Sequence, residues 1–116
     1  MAGFRVDRIS EDIKRELILL MRDLKDPRVK GRIITVINVS VTSDLSIAKV
    51  YVSDMEGIES AKTVCEGLTS AKGYLRRELG NNLHLRKAPD LIFIPDDSVK
   101  KSNEMFEKLR IAEERK

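Results

Sequence analysis

A chain of 116 residues, 41% hydrophobic and 35% charged, supports one domain spanning residues 1–116, with a single core under a heavily solvated surface. One Cys, one His and no Trp exclude an internal disulfide, point to a reducing cytoplasm and leave little vocabulary for catalysis or metal binding. No run approaches the roughly 20 apolar residues of a membrane span, the first eight residues lack the apolar core of a secretory signal, and the net charge of +3 turns attention to anionic partners.

A short arm containing Arg5 and Arg8, frayed over residues 1–6, leads to a first helix that Ser10 is placed to cap. Ile9, Ile13, Leu17, Leu20 and Leu24 form its stripe, and Ile18, Leu19 and Met21 widen it, as expected of a helix packed on a sheet. Pro27 stops it near Leu24 or Lys25. Lys25–Arg32 is then a basic turn with four positive charges and one negative.

From Ile33 to Thr42, Ile37, Val39 and Val41 alternate with Asn38, Ser40 and Thr42 in the two-residue period of a half-buried strand. Ser43-Asp44 turns the chain into a second strand from about Ser46 to Ser53, antiparallel to the first because the connection is short. Asp54–Gly57 ends that hairpin, and a helix starts near Ile58. Val64, Leu68, Ala71, Leu75 and Leu79 mark one side of a helix, or of two helices meeting at an angle. Gly73 sits within this run at a cost of about 1 kcal/mol against Ala, which points to a bend or a close backbone approach there. Gly80-Asn81-Asn82 reads as the helix stop, and Leu91–Ile94 as a short third strand ending at Pro95. Asp96, Asp97 or Ser98 caps a last helix that buries Val99, Phe106 and Leu109, with a frayed tail at residues 111–116.

Positive charge is concentrated in two segments. Residues 1–32 carry nine Lys/Arg against six Asp/Glu, and residues 72–87 carry five against one, whereas the remainder is acidic on balance. If folding joins the two segments, a basic face suited to phosphates results. Lys72 and Arg76 share a helix face with Arg77 beside them, while Leu75 and Leu79 turn to the core. Against this, His84 lacks a sequence-local acid or ligand partner, Cys65 reads as a small buried thiol, and one of the adjacent Asp96 and Asp97 is accounted for by capping. No Walker loop or GxGxxG is present, so an enzyme is not expected.

The order helix, strand, strand, helix, bent helix, strand resembles the type II KH domain. The α+β domain so implied packs a three-stranded mixed sheet on helices, in the order α-β-β-α-kink-α-β with a C-terminal helix. Further pieces are Arg5 and Arg8, Asp26-Pro27-Arg28, Ser43-Asp44-Leu45 with Ala48–Ser53, Ser70–Arg76, Leu83–Arg86, Pro89–Phe93 and Asp96–Ser98. Together they resemble the bacterial ribosome-binding factor A family over nearly the whole chain. The resemblance implies a monomeric, non-enzymatic factor without cofactor. It would bind the 30S small ribosomal subunit or its precursor through 16S rRNA and assist late rRNA maturation, including growth in the cold. Release through a maturation GTPase or an initiation factor is also implied. A KH domain grips single strands through a GxxG loop, which this chain lacks; Ser70, Ala71, Lys72 and Gly73 stand there and resemble the family's Ala-x-Gly kink. By motif match the expected RNA contacts are Arg5, Arg8, Arg28, Lys72, Arg76 and Arg86. Arg77 and Lys87, with Lys25, Lys30 and Arg32, rest on charge clustering.

Two other readings compete. A protein-binding adaptor would use Ile47, Tyr51, Ile92 and Ile94 as an apolar patch on the second sheet face, and a general single-strand binder has only three Phe and two Tyr to stack on.

Overall fold

The structure, a computed structural model, describes residues 2–114, with side chains from Arg5 onward. Its elements are α1 (Ala2–Met21), β1 (Ile34–Val41), β2 (Ile47–Asp54), α2 (Ile58–Ser70), α3 (Lys72–Asn82), β3 (Asp90–Asp96) and α4 (Ser98–Glu114). This is the expected α+β order. The expected frayed ends are helical from Ala2 and up to Glu114; residues 1, 115 and 116 lie outside the described residues.

The sheet order is β1-β2-β3, with β1 antiparallel and β3 parallel to β2, so the third strand pairs with the second. Ala48, Val50 and Val52 on β2 are fully buried, as is Leu91 on β3. They meet Ile13 and Leu17 of α1, Val64 and Leu68 of α2, and Leu75 and Leu79 of α3 in one cluster. The β1 alternation breaks at Ile37, where the register with β2 shifts between Val36 and Asn38. That bulge puts Val36 in the core with Val39 and Val41 and leaves Ile37 half-buried. Pro95 lies inside β3, which tolerates it because β3 is an edge strand.

Several expected boundaries move for identifiable reasons. Ser10 is not an N-cap: Val6 continues the stripe in phase with Ile13 and Leu17, the helix runs through, and the Ser10 hydroxyl donates to the Val6 carbonyl at 2.9 Å. Leu19 lies outside the buried stripe and is 51% exposed. The end of α3 does not move: its last residue is Asn82, within the expected Gly80-Asn81-Asn82 stop. Leu83 is the C-cap, His84 follows with φ 54°, and the Leu85 N–H closes back on the Gly80 carbonyl at 2.9 Å. This is a Schellman closure, with His84 where glycine is usual.

In α4 the contacts expected of Phe106 and Leu109 are absent: they are 69% and 54% exposed, and none of its described residues is buried. The helix is tied only at its start, where Asp96 Oδ1 accepts the Ser98 N–H at 2.7 Å and the Val99 N–H points at Ser53 Oγ at 3.4 Å.

The α2–α3 bend falls at Ala71, with φ −91° and ψ 7°, a conformation open to any residue. Gly73 is exposed and has no neighbour within 4 Å of the position a Cβ would take, so the bend does not require it. The close approach is at Gly67, where a Cβ would lie 2.7 Å from Val29 Cγ2 and 3.1 Å from Arg28 Cβ. Gly67→Ala is therefore expected to destabilise by about 1 kcal/mol net, overpacking outweighing the gain in helix propensity. Gly73→Ala is expected to stabilise by about 0.5 kcal/mol. Urea unfolding of both variants checks this; the opposite order would contradict the packing described.

Candidate nucleic-acid interface

Folding brings the two basic segments together at the end of the domain where β2 and β3 begin. The Arg76 guanidinium donates from Nε to the Pro89 carbonyl at 3.2 Å and from Nη2 to the Ala88 carbonyl at 3.1 Å. One turn earlier, Lys72 Nζ lies 3.3 Å from Asp90 Oδ1. The Asp90 N–H donates to the Ser46 carbonyl at 2.8 Å. The loop between α3 and β3 is thus fastened to α3 on one side and to the β1–β2 turn on the other.

Beside that loop lies the start of α1. Arg5 and Ile9 from α1, the turn residues Asp44 and Leu45, and the loop residues His84 and Arg86 line a cleft of about 510 Å³. Leu85, Lys87 and Ala88 complete its loop wall. Arg5, Arg8, Arg86 and Lys87 are exposed, and none has a hydrogen-bond or ion-pair partner among the described residues.

The turn opposite is rigid. Asp44 Oδ1 accepts from Ser46 Oγ at 2.7 Å, from Thr42 Oγ1 at 2.8 Å and from the Ser46 N–H at 3.1 Å. These bonds, led by the Ser46 hydroxyl, hold the Asp44 carboxyl down at about 2. Leu45 adopts φ 62°, so both Leu45 and His84, facing the same cleft, are left-handed residues without being glycine. Each such position costs of the order of 1 kcal/mol.

The other expected contacts are arranged differently. Lys72 and Arg76 are paired with the loop at Asp90, Ala88 and Pro89, next to Arg86 and Lys87 in sequence. Arg77 lies 5.9 Å over the Tyr74 ring and 3.7 Å from Glu78. Arg28 is clamped by Asp26 through Nε–Oδ1 at 3.0 Å and Nη2–Oδ2 at 2.7 Å, and Nη2 also donates to Ser70 Oγ at 3.0 Å. Arg28 thereby straps the basic turn to the kink at Ser70 and Ala71. Arg32 donates to Ser60 Oγ at 2.5 Å, while Lys25 and Lys30 are exposed. Sequence reasoning missed the cleft itself, along with Ile9, Leu45 and Leu85. Their only signal was apolar residues beside turn and basic residues.

Elsewhere, burial pushes the Cys65 thiol up to about 11, which makes it a packing group. Ile92 is exposed on the outer sheet face, with Ile47, Tyr51 and Ile94 half-buried around it and Lys49 alongside.

The family description of ribosome-binding factor A matches residues 5–109. The chain belongs to the ribosome-binding factor A family. It is 41% identical to ribosome-binding factor A of Streptococcus mutans over 117 aligned positions, 99% of each chain. The crystal structure of ribosome-binding factor A from Thermus thermophilus superposes with a TM-score of 0.67 at 28% identity, covering 78% of this chain and 93% of the other. A homology model of the Thermus thermophilus factor, fitted into a cryo-EM map of a 30S complex, gives 0.62 at 29% identity, over 77% and 92%. The fold is the KH-like fold of the ribosome-binding factor A family.

The Arg28–Asp26 pair has a pH signature. Hydrogen bonds from the Arg28 side chain and backbone lower the Asp26 pKa from 3.8 to about 2. A depressed carboxylate stabilises the fold fully above its ordinary pKa, and that contribution is lost as pH falls toward 2. In Arg28→Gln the Asp26 carboxyl, followed by carbon NMR, is expected to move up from about 2 toward 3.8 without reaching it, because the residue 28 backbone N–H still donates to Asp26 Oδ1; an unmoved midpoint would show that the strap does not form. A second expectation concerns the αL residue: His84→Gly should raise stability by about 1 kcal/mol in chemical unfolding, and no gain would mean the loop carries no strain there.

Proposed function

We propose that this protein is a non-enzymatic factor that binds the 30S small ribosomal subunit or its precursor through 16S rRNA and assists late rRNA maturation, including in the cold. The observation that carries the reading is that Arg5, Arg86 and Lys87, drawn from the two basic segments, line one cleft without an internal partner among the described residues, with Arg8 exposed three positions further along α1. Family membership and likeness to a factor fitted into a 30S complex support the same partner. Phosphate contacts from these side chains supply affinity, while the shape of the α2–α3 bend and the fastened loop selects the rRNA surface. The factor acts as a cytoplasmic monomer. It leaves the subunit when another factor, a maturation GTPase or an initiation factor, remodels or competes for the site.

In this reading Lys72 and Arg76 act through the loop and Arg28 through the kink, while Arg86 and Lys87 meet phosphate. Arg86→Glu/Lys87→Glu is expected to weaken co-sedimentation with small subunits at least tenfold at low salt with the fold intact. Wild-type binding should fall steeply between about 50 and 200 mM salt, as phosphate-dominated association does. Undiminished binding by the double variant would remove this loop from the interface. Salt-insensitive wild-type binding would instead favour an apolar adaptor surface built on Ile47, Tyr51, Ile92 and Ile94.

A further inference from the structure

The cleft between α1, the β1–β2 turn and the α3–β3 loop has a shape and lining that a phosphate-binding surface alone does not need. Its floor is aliphatic: Ile9, Leu45, Leu85 and Ala88 are all half-buried there. Its rim carries Arg5 on one side and Arg86 and Lys87 on the other, against one carboxylate, Asp44, whose Oδ1 is taken up by Thr42 and Ser46. The His84 imidazole is the only ring among the described lining residues, and it is exposed. At about 510 Å³ the cleft falls in the range of roughly 300–1,000 Å³ typical of small-molecule sites.

An RNA duplex presents a convex phosphate surface that a flat basic patch serves well. A concave site with an apolar floor and a charged rim instead fits a nucleotide turned out of its stack, whose base offers a π-face and whose phosphate stays at the edge. We infer that this cleft takes one unstacked nucleotide of a single-stranded RNA segment, its base against Leu45 and Leu85 beside the His84 ring, and its phosphate between Arg5, Arg86 and Lys87. This inference rests on the RNA-binding reading above and adds to it the strandedness of the RNA.

Two features make the cleft a prepared site. Its opposing walls are held open by left-handed residues, Leu45 and His84, and each wall is locked by its own bonds: Asp44 to Thr42 and Ser46, and Arg76 to Ala88 and Pro89. No closure of the protein is needed to form it. The occupant is not the single-strand clamp of a GxxG loop, because the cleft is built from none of Ser70, Ala71 or Gly73.

The chain has one histidine, so its ring protons give an isolated NMR reporter inside the cleft. The full-length protein is titrated with the four ribonucleoside 5′-monophosphates, with adenosine, and with inorganic phosphate. The expected result is that nucleotides at millimolar concentration shift the His84 ring protons upfield and move the Leu45 and Leu85 amides. Inorganic phosphate should move only residues of the rim. His84→Asn tolerates the left-handed backbone but removes the ring, and is expected to weaken nucleotide binding about tenfold, the scale of one lost stacking partner. Arg86→Gln/Lys87→Gln should weaken the nucleotides and leave the feeble response to adenosine unchanged. Equal responses to phosphate and nucleotides would reduce the cleft to an anion site and overturn the inference, as would no response to any nucleotide. If nucleotides fail while small subunits still bind in a salt-dependent way that Arg86→Glu/Lys87→Glu abolishes, the cleft proposal falls and the interface stands. If that charge reversal has no effect on subunit binding, the interface itself is misplaced.

Discussion

The basic end of this domain depends on one side chain, Arg76. Its guanidinium spans the adjacent carbonyls of Ala88 and Pro89, where the chain leaves its loop and enters a parallel edge strand. Those carbonyls have no strand partner of their own to satisfy them. A planar fork with two donors suits two neighbouring acceptors, and a Lys would reach only one at a time. Leaving such half-buried carbonyls unbonded costs of the order of 1–3 kcal/mol. With Lys72 on Asp90 and the Asp90 N–H on Ser46, the clamp continues into the β1–β2 turn, so α3, the loop, β3 and the turn move as one piece. The placement of Arg86 and Lys87 follows from that piece.

Eight of the positive charges thus fall into two kinds. Arg28, Arg32, Lys72 and Arg76 hold elements of the protein to one another. Arg5, Arg8, Arg86 and Lys87 hold nothing among the described residues. A net charge of +3 conceals this division, because a basic surface is set by where unpaired cations gather, not by their number. An anionic surface meeting this end finds charge already positioned and with no ion pair to break first.

The element order was legible because periodicity is strong in α1, β2 and α2, and turn residues separate them. The β1 phase was legible except at Ile37, since a bulge adds one residue without changing composition. Ser10 misled because a serine ahead of an apolar stripe looks like a cap, and only tertiary packing of Val6 carries the helix past it. Gly73 drew attention that belonged to Gly67: both are helical glycines, and only the approach of Val29 from a distant turn separates them. For the site, the basic residues were visible but their allegiances were not. Nothing local in Lys72 or Arg76 announces a carbonyl or carboxylate supplied from twelve to eighteen residues further on. The left-handed turn at Leu45 left no compositional trace either, because leucine does not favour that backbone, and His84, of a type enriched there, is too weak a signal alone.

The fourth helix has a thermodynamic consequence. Its 17 residues bury nothing among those described, and its support is the first-turn tie to Ser53, the packing of Lys100 over Gly57 and surface pairs such as Lys101–Asp97 and Arg110–Glu107. Pairs of this kind add only about 0.2–0.5 kcal/mol each, and a helix of such length held by local terms is marginal in water. Its order is therefore set by temperature and ionic strength independently of the core. On these terms the helix is expected to unwind from its far end before the sheet and the three packed helices melt.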